Sequence, residues 1–278
     1  MILLSILCTL TASIAGCTWQ PKITHGWPVW SDDGTAVAAV KHTFEEKQGV
    51  SNFYETRNHQ VQVFTGDPVS GTTLSPVTGL LDGTVQDFYF MKSKGYYILG
   101  RNLGNETVGD DTHTTIRFDK ISLTGQVTEI DEITAVSSVS CSPGSSSGFA
   151  EIMKVIPSWD GNFLGKFTME NSCSGLNLEI SILDASDLSV VGGPWTLQTQ
   201  SILPGGFAWN QSGVLMLGTS GSSPFGPPLY TGYEVGQNPQ TLTGIDTDDF
   251  FPASSSSENN ASGDTVEIDD ITGEISIN

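Results

Sequence analysis

Four stretches of the chain share one shape, and their recurrence limits the possible folds more than any other feature. They are "VWSDDGTAVAAV" (29–40), "YFMKSKGYYILG" (89–100), "IPSWDGNFLGKF" (156–167) and "AWNQSGVLMLGT" (208–219). Each reads as an apolar strand, a polar tight turn ending in glycine, and a second strand. The turn glycines are Gly34, Gly95, Gly161 and Gly213. A hairpin turn needs a positive φ that only glycine adopts without steric cost, so a hairpin is the simplest structure to write over each stretch.

A second marker follows each of these at a shorter distance: "DPVSGTTL" (67–74), "DKISLTGQV" (119–127), "DASDLSVV" (184–191) and the weaker "VGQNPQTL" (235–242). These too are turn signals flanked by alternating apolar residues, as in "VQVF" (61–64), "TIRF" (115–118) and "LEISIL" (178–183). Two hairpins per unit make four strands, and repeated four-strand units predict an all-β chain built as a β-propeller. Composition agrees: 37% hydrophobic and 15% charged residues with 31 Gly and 13 Pro suit strands and turns better than a helical bundle.

The "WSDDG" and "PSWDG" turns resemble the repeats of the Tol-system periplasmic propeller and its relatives, where Asp-Gly joins two inner strands. The likeness spans most of residues 27–245 and implies a β-propeller-like domain of four or five blades; the alternative is a β-sandwich or irregular all-β fold. Blades usually run roughly 40–45 residues, so the wider glycine spacing here calls for inserts, expected at 103–113 and 137–148. Trp30, Trp159 and Trp209 recur near equivalent positions, which predicts packing between blades.

The N-terminal run "ILLSILCTLTASI" (2–14) is too short to span a bilayer and has the length of a signal-peptide h-region. "IAGC" (14–17) follows it and resembles the lipobox of bacterial lipoproteins, although "MILLS" lacks the usual basic residue. The resemblance implies that residues 1–16 are a cleaved signal peptide and that the Cys17 thiol carries lipid such as palmitate; the alternatives are an ordinary cleaved secretory signal and a retained apolar N-terminus. Thr18 is not the aspartate of the inner-membrane retention signal, so the expected location is the cell envelope, at the outer membrane or cell surface. Each buried CH2 contributes about 0.8 kcal/mol to such an anchor, and several acyl chains hold firmly where one is marginal. If Cys8 leaves with the signal and Cys17 is acylated, Cys141 and Cys173 remain, and an oxidising compartment favours a disulfide between them over two free thiols.

The expected boundaries are a propeller-like domain over 17–251, a small-polar linker over 252–263 ("PASSSSENNASG") and an acidic C-terminal hairpin or tail over 264–278. Alternation of Val266, Ile268, Ile275 and Ile277 favours a docked hairpin turning at Thr272 and Gly273.

A formal charge of −20, from 31 acids against 11 bases, disfavours nucleic acid as a partner. No Lys or Arg follows Lys166, and the acidic C-terminal half is expected to be a solvated surface. "GSSSG" (144–148) places Ser146 in a G-x-S-x-G pattern, but serines and Pro143 precede it where a nucleophile elbow needs a buried strand. His25, His42, His59 and His113 all precede Ser146 and show no metal-binding spacing, while "DTDD" (246–249) and Asp269–Asp270 lack an EF-hand pattern. No cofactor or metal is therefore expected. The expected function is a non-catalytic, lipid-anchored binding or scaffold module for a protein or extracellular ligand; the alternative is an exported carbohydrate-active hydrolase or lyase whose paired carboxylates come from different blades.

Overall fold

The computed structural model describes residues 18–48, 54–68, 74–109, 111–138, 153–172, 175–199, 202–219, 229–243, 250–251 and 264–277. These form an all-β array of antiparallel sheets that follow one another in chain order. The first sheet contains β1 (Gln20–Trp30), β2 (Val37–Gln48) and β3 (Tyr54–Gly66); β4 (Ser75–Pro76) and β5 (Leu81–Asp82) share its fourth position, both pairing with β3. Pro76 has no N–H for the ladder, and between the two short strands the Thr78 hydroxyl accepts the Val63 N–H at 3.1 Å in place of a backbone carbonyl.

The second sheet is β6 (Thr84–Met91), β7 (Tyr96–Val108), β8 (Asp111–Ser122) and β9 (Val127–Ser138). The third is β10 (Met153–Pro157), β11 (Phe163–Ser172), β12 (Gly175–Asp184) and β13 (Val190–Thr199). In the fourth, β14 (Ile202–Asn210), β15 (Leu215–Thr219), β16 (Leu229–Tyr233) and β17 (Gln240–Leu242) are joined by β18 (Phe250–Phe251), which pairs with the free edge of β14. A last hairpin is formed by β19 (Val266–Ile268) and β20 (Ile275–Ile277).

The period-two pattern of the strands explains the stacking. In β6, Phe88 and Phe90 face Ala38, Val40, Val61 and Val63 of the first sheet, whereas Tyr89 and Met91 face the third. Both faces of the second sheet are thereby buried, and β6 packs against β1 and β10, the leading strands on either side. Phe167 meets Phe207 edge-on at 4.6 Å where the third sheet meets the fourth. Each of these aromatics contributes on the order of 2–3 kcal/mol through the apolar area that it removes from water.

The four glycines of the sequence repeat have φ of +66°, +80°, +66° and +83° and close the first hairpin of each sheet. Neighbouring turns touch. Asp32 N–H donates to Phe90 carbonyl, Lys94 Nζ to Asn162 Oδ1 at 2.8 Å, and Tyr96 hydroxyl to Gly161 carbonyl at 2.9 Å. All these turns therefore lie at one end of the array. The paired ends at Gln48 and Tyr54 and at Val108 and Asp111 lie at the other, because each strand reverses direction.

The extra length expected at 103–113 takes the form of long strands, β7 and β8 pairing as far as Val108 and Asp111. One expectation changes. Trp159 is not core. It sits within the turn at 39% exposure, whereas Trp30 and Trp209 are buried; Pro157 holds the strand position that Trp30 and Trp209 hold in their own sheets. The Trp159 indole instead donates to the Trp209 carbonyl at 3.2 Å, and the Trp209 indole to Ile156 carbonyl at 3.2 Å.

The C-terminal hairpin is docked. Val266 and Ile275 pack on Trp30 and Val37, and the His25 N–H donates to Asp270 carbonyl at 2.8 Å. The chain thus returns from the fourth sheet to the outer face of the first.

Candidate functional site

Cys17, the expected lipidation residue, lies outside the described residues, as do Cys141, Cys173, Ser146 and residues 246–249. In the chain Cys141 falls between β9 and β10, and Cys173 between β11 and β12. Three residues after Cys17, at Gln20, β1 begins, so Cys17 leads almost directly into the first sheet.

Trp19 fixes the start of this sheet. Its ring lies under the Arg57 guanidinium, 4.1 Å from centroid to Cζ, with Lys47 Nζ 5.7 Å away on β2. Around it Lys22 pairs with Glu46 at 3.5 Å, Lys47 with Glu55 at 3.7 Å and Arg57 with Glu45 at 2.7 Å. These pairs are partly solvated, and each contributes at most about 1 kcal/mol. Tyr54 and Ile23 at the same end are 59% and 50% exposed. Two aromatics, an aliphatic side chain and paired charges thus share one tip.

The sequence separates His42 from His59, but β2 and β3 bring them together. His42 Nε2 and His59 Nδ1 are 3.0 Å apart, and His59 Nε2 is 3.1 Å from the Thr56 hydroxyl. The His42 and Phe44 rings lie 4.9 Å apart at 27°, and Phe44 and His59 5.6 Å apart at 15°. Burial holds both imidazoles below their usual pKa, and for His42 the neighbouring His59 adds to the effect. One ring nitrogen must donate and the other accept, so the neutral pair is satisfied and the doubly protonated pair is not. His25 and His113 are not part of this cluster. His25 lies under the C-terminal turn, and His113 is in β8 opposite Val136. The signal for this cluster was the alternation of His42 with Phe44 on one strand face, but its partner across the bulge at Thr43–Glu45 could not be read without the register.

At the turn end, carboxylates are occupied in holding backbone. Burial would raise the Asp33 carboxyl, yet hydrogen bonds from Ser31 and Thr35 and the Lys92 ammonium hold it below the usual value. Asp160 is lowered in the same way, against burial, by Ser158, Asn162 and Lys94. Asp269 accepts the Ile271 and Thr272 N–H groups at 3.0 and 2.6 Å, which makes it a turn cap. Among the described residues, no three His, Cys, Asp or Glu side chains converge as a metal cage requires.

A further polar cluster is structural. Asp119 is fully buried in the second sheet and accepts from Arg101 and Arg117, while Arg101 also donates to the Asp82 carbonyl beside the first sheet. No family model matches the chain, and no curated protein matches it.

Proposed function

We propose that this protein is a lipid-anchored component of a bacterial cell envelope, with its sheet array serving as a non-catalytic binding or scaffold body. The lipobox-like "IAGC" ending at Cys17 carries the reading. It is supported by the short distance from Cys17 to the first strand, which begins at Gln20. A lipid on this cysteine would hold the array close to the bilayer, without a long tether.

The body suits a scaffold because its sheets share apolar clusters with their neighbours, and loops on such a frame are where recognition groups usually reside. An excess of acid over base keeps it in water and turns it toward cationic or neutral partners.

Fractionation of cells producing the full chain tests this directly. The wild-type protein is expected in the membrane fraction and extractable only by detergent, and C17A in the soluble fraction or as unprocessed precursor. Identical partitioning and identical mature mass for the two would overturn the proposal.

A further inference from the structure

The geometry points to His42 and His59 as the two protein ligands of a transition-metal site on the first sheet, one that takes Cu(II) ahead of other divalent ions and leaves the remaining positions to water. The site does not depend on the anchoring proposed for Cys17, and it gives the sheet body a ligand class of its own.

Backbone placement carries the first part of the argument. Between the pairs Thr43–Gln60 and Glu45–Arg57, two residues of β3, Asn58 and His59, stand against the single Phe44 of β2. Asn58 takes the left-handed conformation, with φ of +55°, which asparagine tolerates better than most residues. Such a bulge re-aims a side chain, and here it sets the His59 ring beside His42 and Phe44. His42 Nε2 and His59 Nδ1 are 3.0 Å apart while the ring centroids are 5.1 Å apart, so these nitrogens are the facing atoms of rings whose planes differ by 17°. After a small swing of each ring, an ion bonded to both at about 2.0–2.1 Å would see nitrogens at the present separation about 90–100° apart. That is the cis angle of a tetragonal Cu(II) field, and Cu(II) also heads the affinity order of first-row divalent ions.

Imidazole chemistry carries the second part. A histidine ligates through a bare nitrogen, so both facing nitrogens must be free of protons. With the His59 proton on Nε2, 3.1 Å from the Thr56 hydroxyl, Nδ1 keeps its lone pair; this is the outer hydrogen bond that orients a ligating histidine. His42 then has to carry its proton on Nδ1, a change of tautomer that leaves the charge of the pair unaltered. Burial already favours the neutral form of both rings. Thr56 and Asn58 are exposed, which gives an ion a path from solvent, and the formal charge of −20 draws cations toward the protein. Among the described residues, no further His, Cys, Asp or Glu joins the pair as a third donor. Calcium and magnesium, which need several oxygen ligands, are disfavoured on that account.

The test titrates the full-length protein, stripped of metal by a chelator, with Cu(II) in the presence of glycine as a weak competitor. Wild type is compared with H42Q/H59Q, T56V and H113F, and circular dichroism checks that each variant is folded. Electron paramagnetic resonance of the wild type is expected to show a tetragonal Cu(II) signal split by two imidazole nitrogens. H42Q/H59Q should lose that signal together with the matching equivalent of bound copper, whereas H113F should keep both. T56V should bind roughly tenfold more weakly, as the loss of an outer hydrogen bond to a ligand does. Zn(II) and Ni(II) should compete for the same site with lower affinity.

A wild-type protein without the two-nitrogen signal would overturn the site before any variant is made. Equal copper stoichiometry and an equal signal in wild type and H42Q/H59Q would do the same, by placing the copper on other groups. Loss of the signal in H113F would overturn the assignment of His42 and His59 as the two ligands, and wild-type affinity in T56V would remove Thr56 from its orienting role. None of these results bears on the lipid at Cys17, which fractionation tests separately.

Discussion

The Arg101 guanidinium grips the buried Asp119 carboxylate from two nitrogens, Nη2 at 2.6 Å and Nε at 3.1 Å, with only 6% of the arginine side chain exposed. Such a pair stabilises little relative to a well-packed apolar replacement, yet breaking it strands a charge in the interior. D119A is expected to cost about 3–5 kcal/mol, and R101M/D119L less than half of that. Urea unfolding of the three proteins checks the ordering; a double variant as unstable as D119A contradicts it.

Gly165 lies where the third sheet packs tightly on the fourth. A Cβ there would come within 2.5 Å of Leu215 Cδ1 and 3.2 Å of the Trp209 indole nitrogen. G165A is expected to lose roughly 1–3 kcal/mol through overpacking. Calorimetry should show a lower Tm, and an unchanged Tm would mean that the two sheets separate more easily than their packing implies.

The histidine pair sets a pH window. Because burial depresses the pKa of His42 and His59, the folded state binds fewer protons than the unfolded one near the ordinary imidazole value of 6.5. Their contribution is therefore constant above about that pH and is lost as pH falls through it toward the lowered folded values. The lowered Asp33 and Asp160 act separately, their stabilisation fading only as pH drops below the ordinary aspartate value of 3.8. Denaturation midpoints measured from pH 8 to pH 3 should show two declines, and H42F/H59F should remove the upper one only.

The expected Cys141–Cys173 disulfide closes a loop of about 30 residues, for which the chain-entropy argument gives roughly 3–4 kcal/mol. Thiol alkylation under denaturing conditions should label neither cysteine before reduction and both after it. Labelling of both without reductant would remove the cross-link from the account.

Much of the framework was legible because turn chemistry is local. Gly34, Gly95, Gly161 and Gly213 each close the hairpin that the repeat implied, and Val266 and Ile275 dock as their alternation suggested. What the sequence hid depends on register. Trp159 shares a letter with Trp30 and Trp209 but is shifted two residues along its turn, which moves it from the core to the surface. The His42–His59 contact, the Arg101–Asp119 grip and the Trp19–Arg57 stack each join different strands, and no single-strand pattern specifies which residues stand opposite.

The anchoring of this body is tested most directly by weighing the mature protein, intact, after detergent extraction from its envelope. The account predicts a polypeptide that starts at residue 17 and is heavier than its sequence by several fatty acyl groups, with the added mass confined to the N-terminal peptide. A chain starting at Met1, or one whose Cys17 sulfur is unmodified, contradicts it.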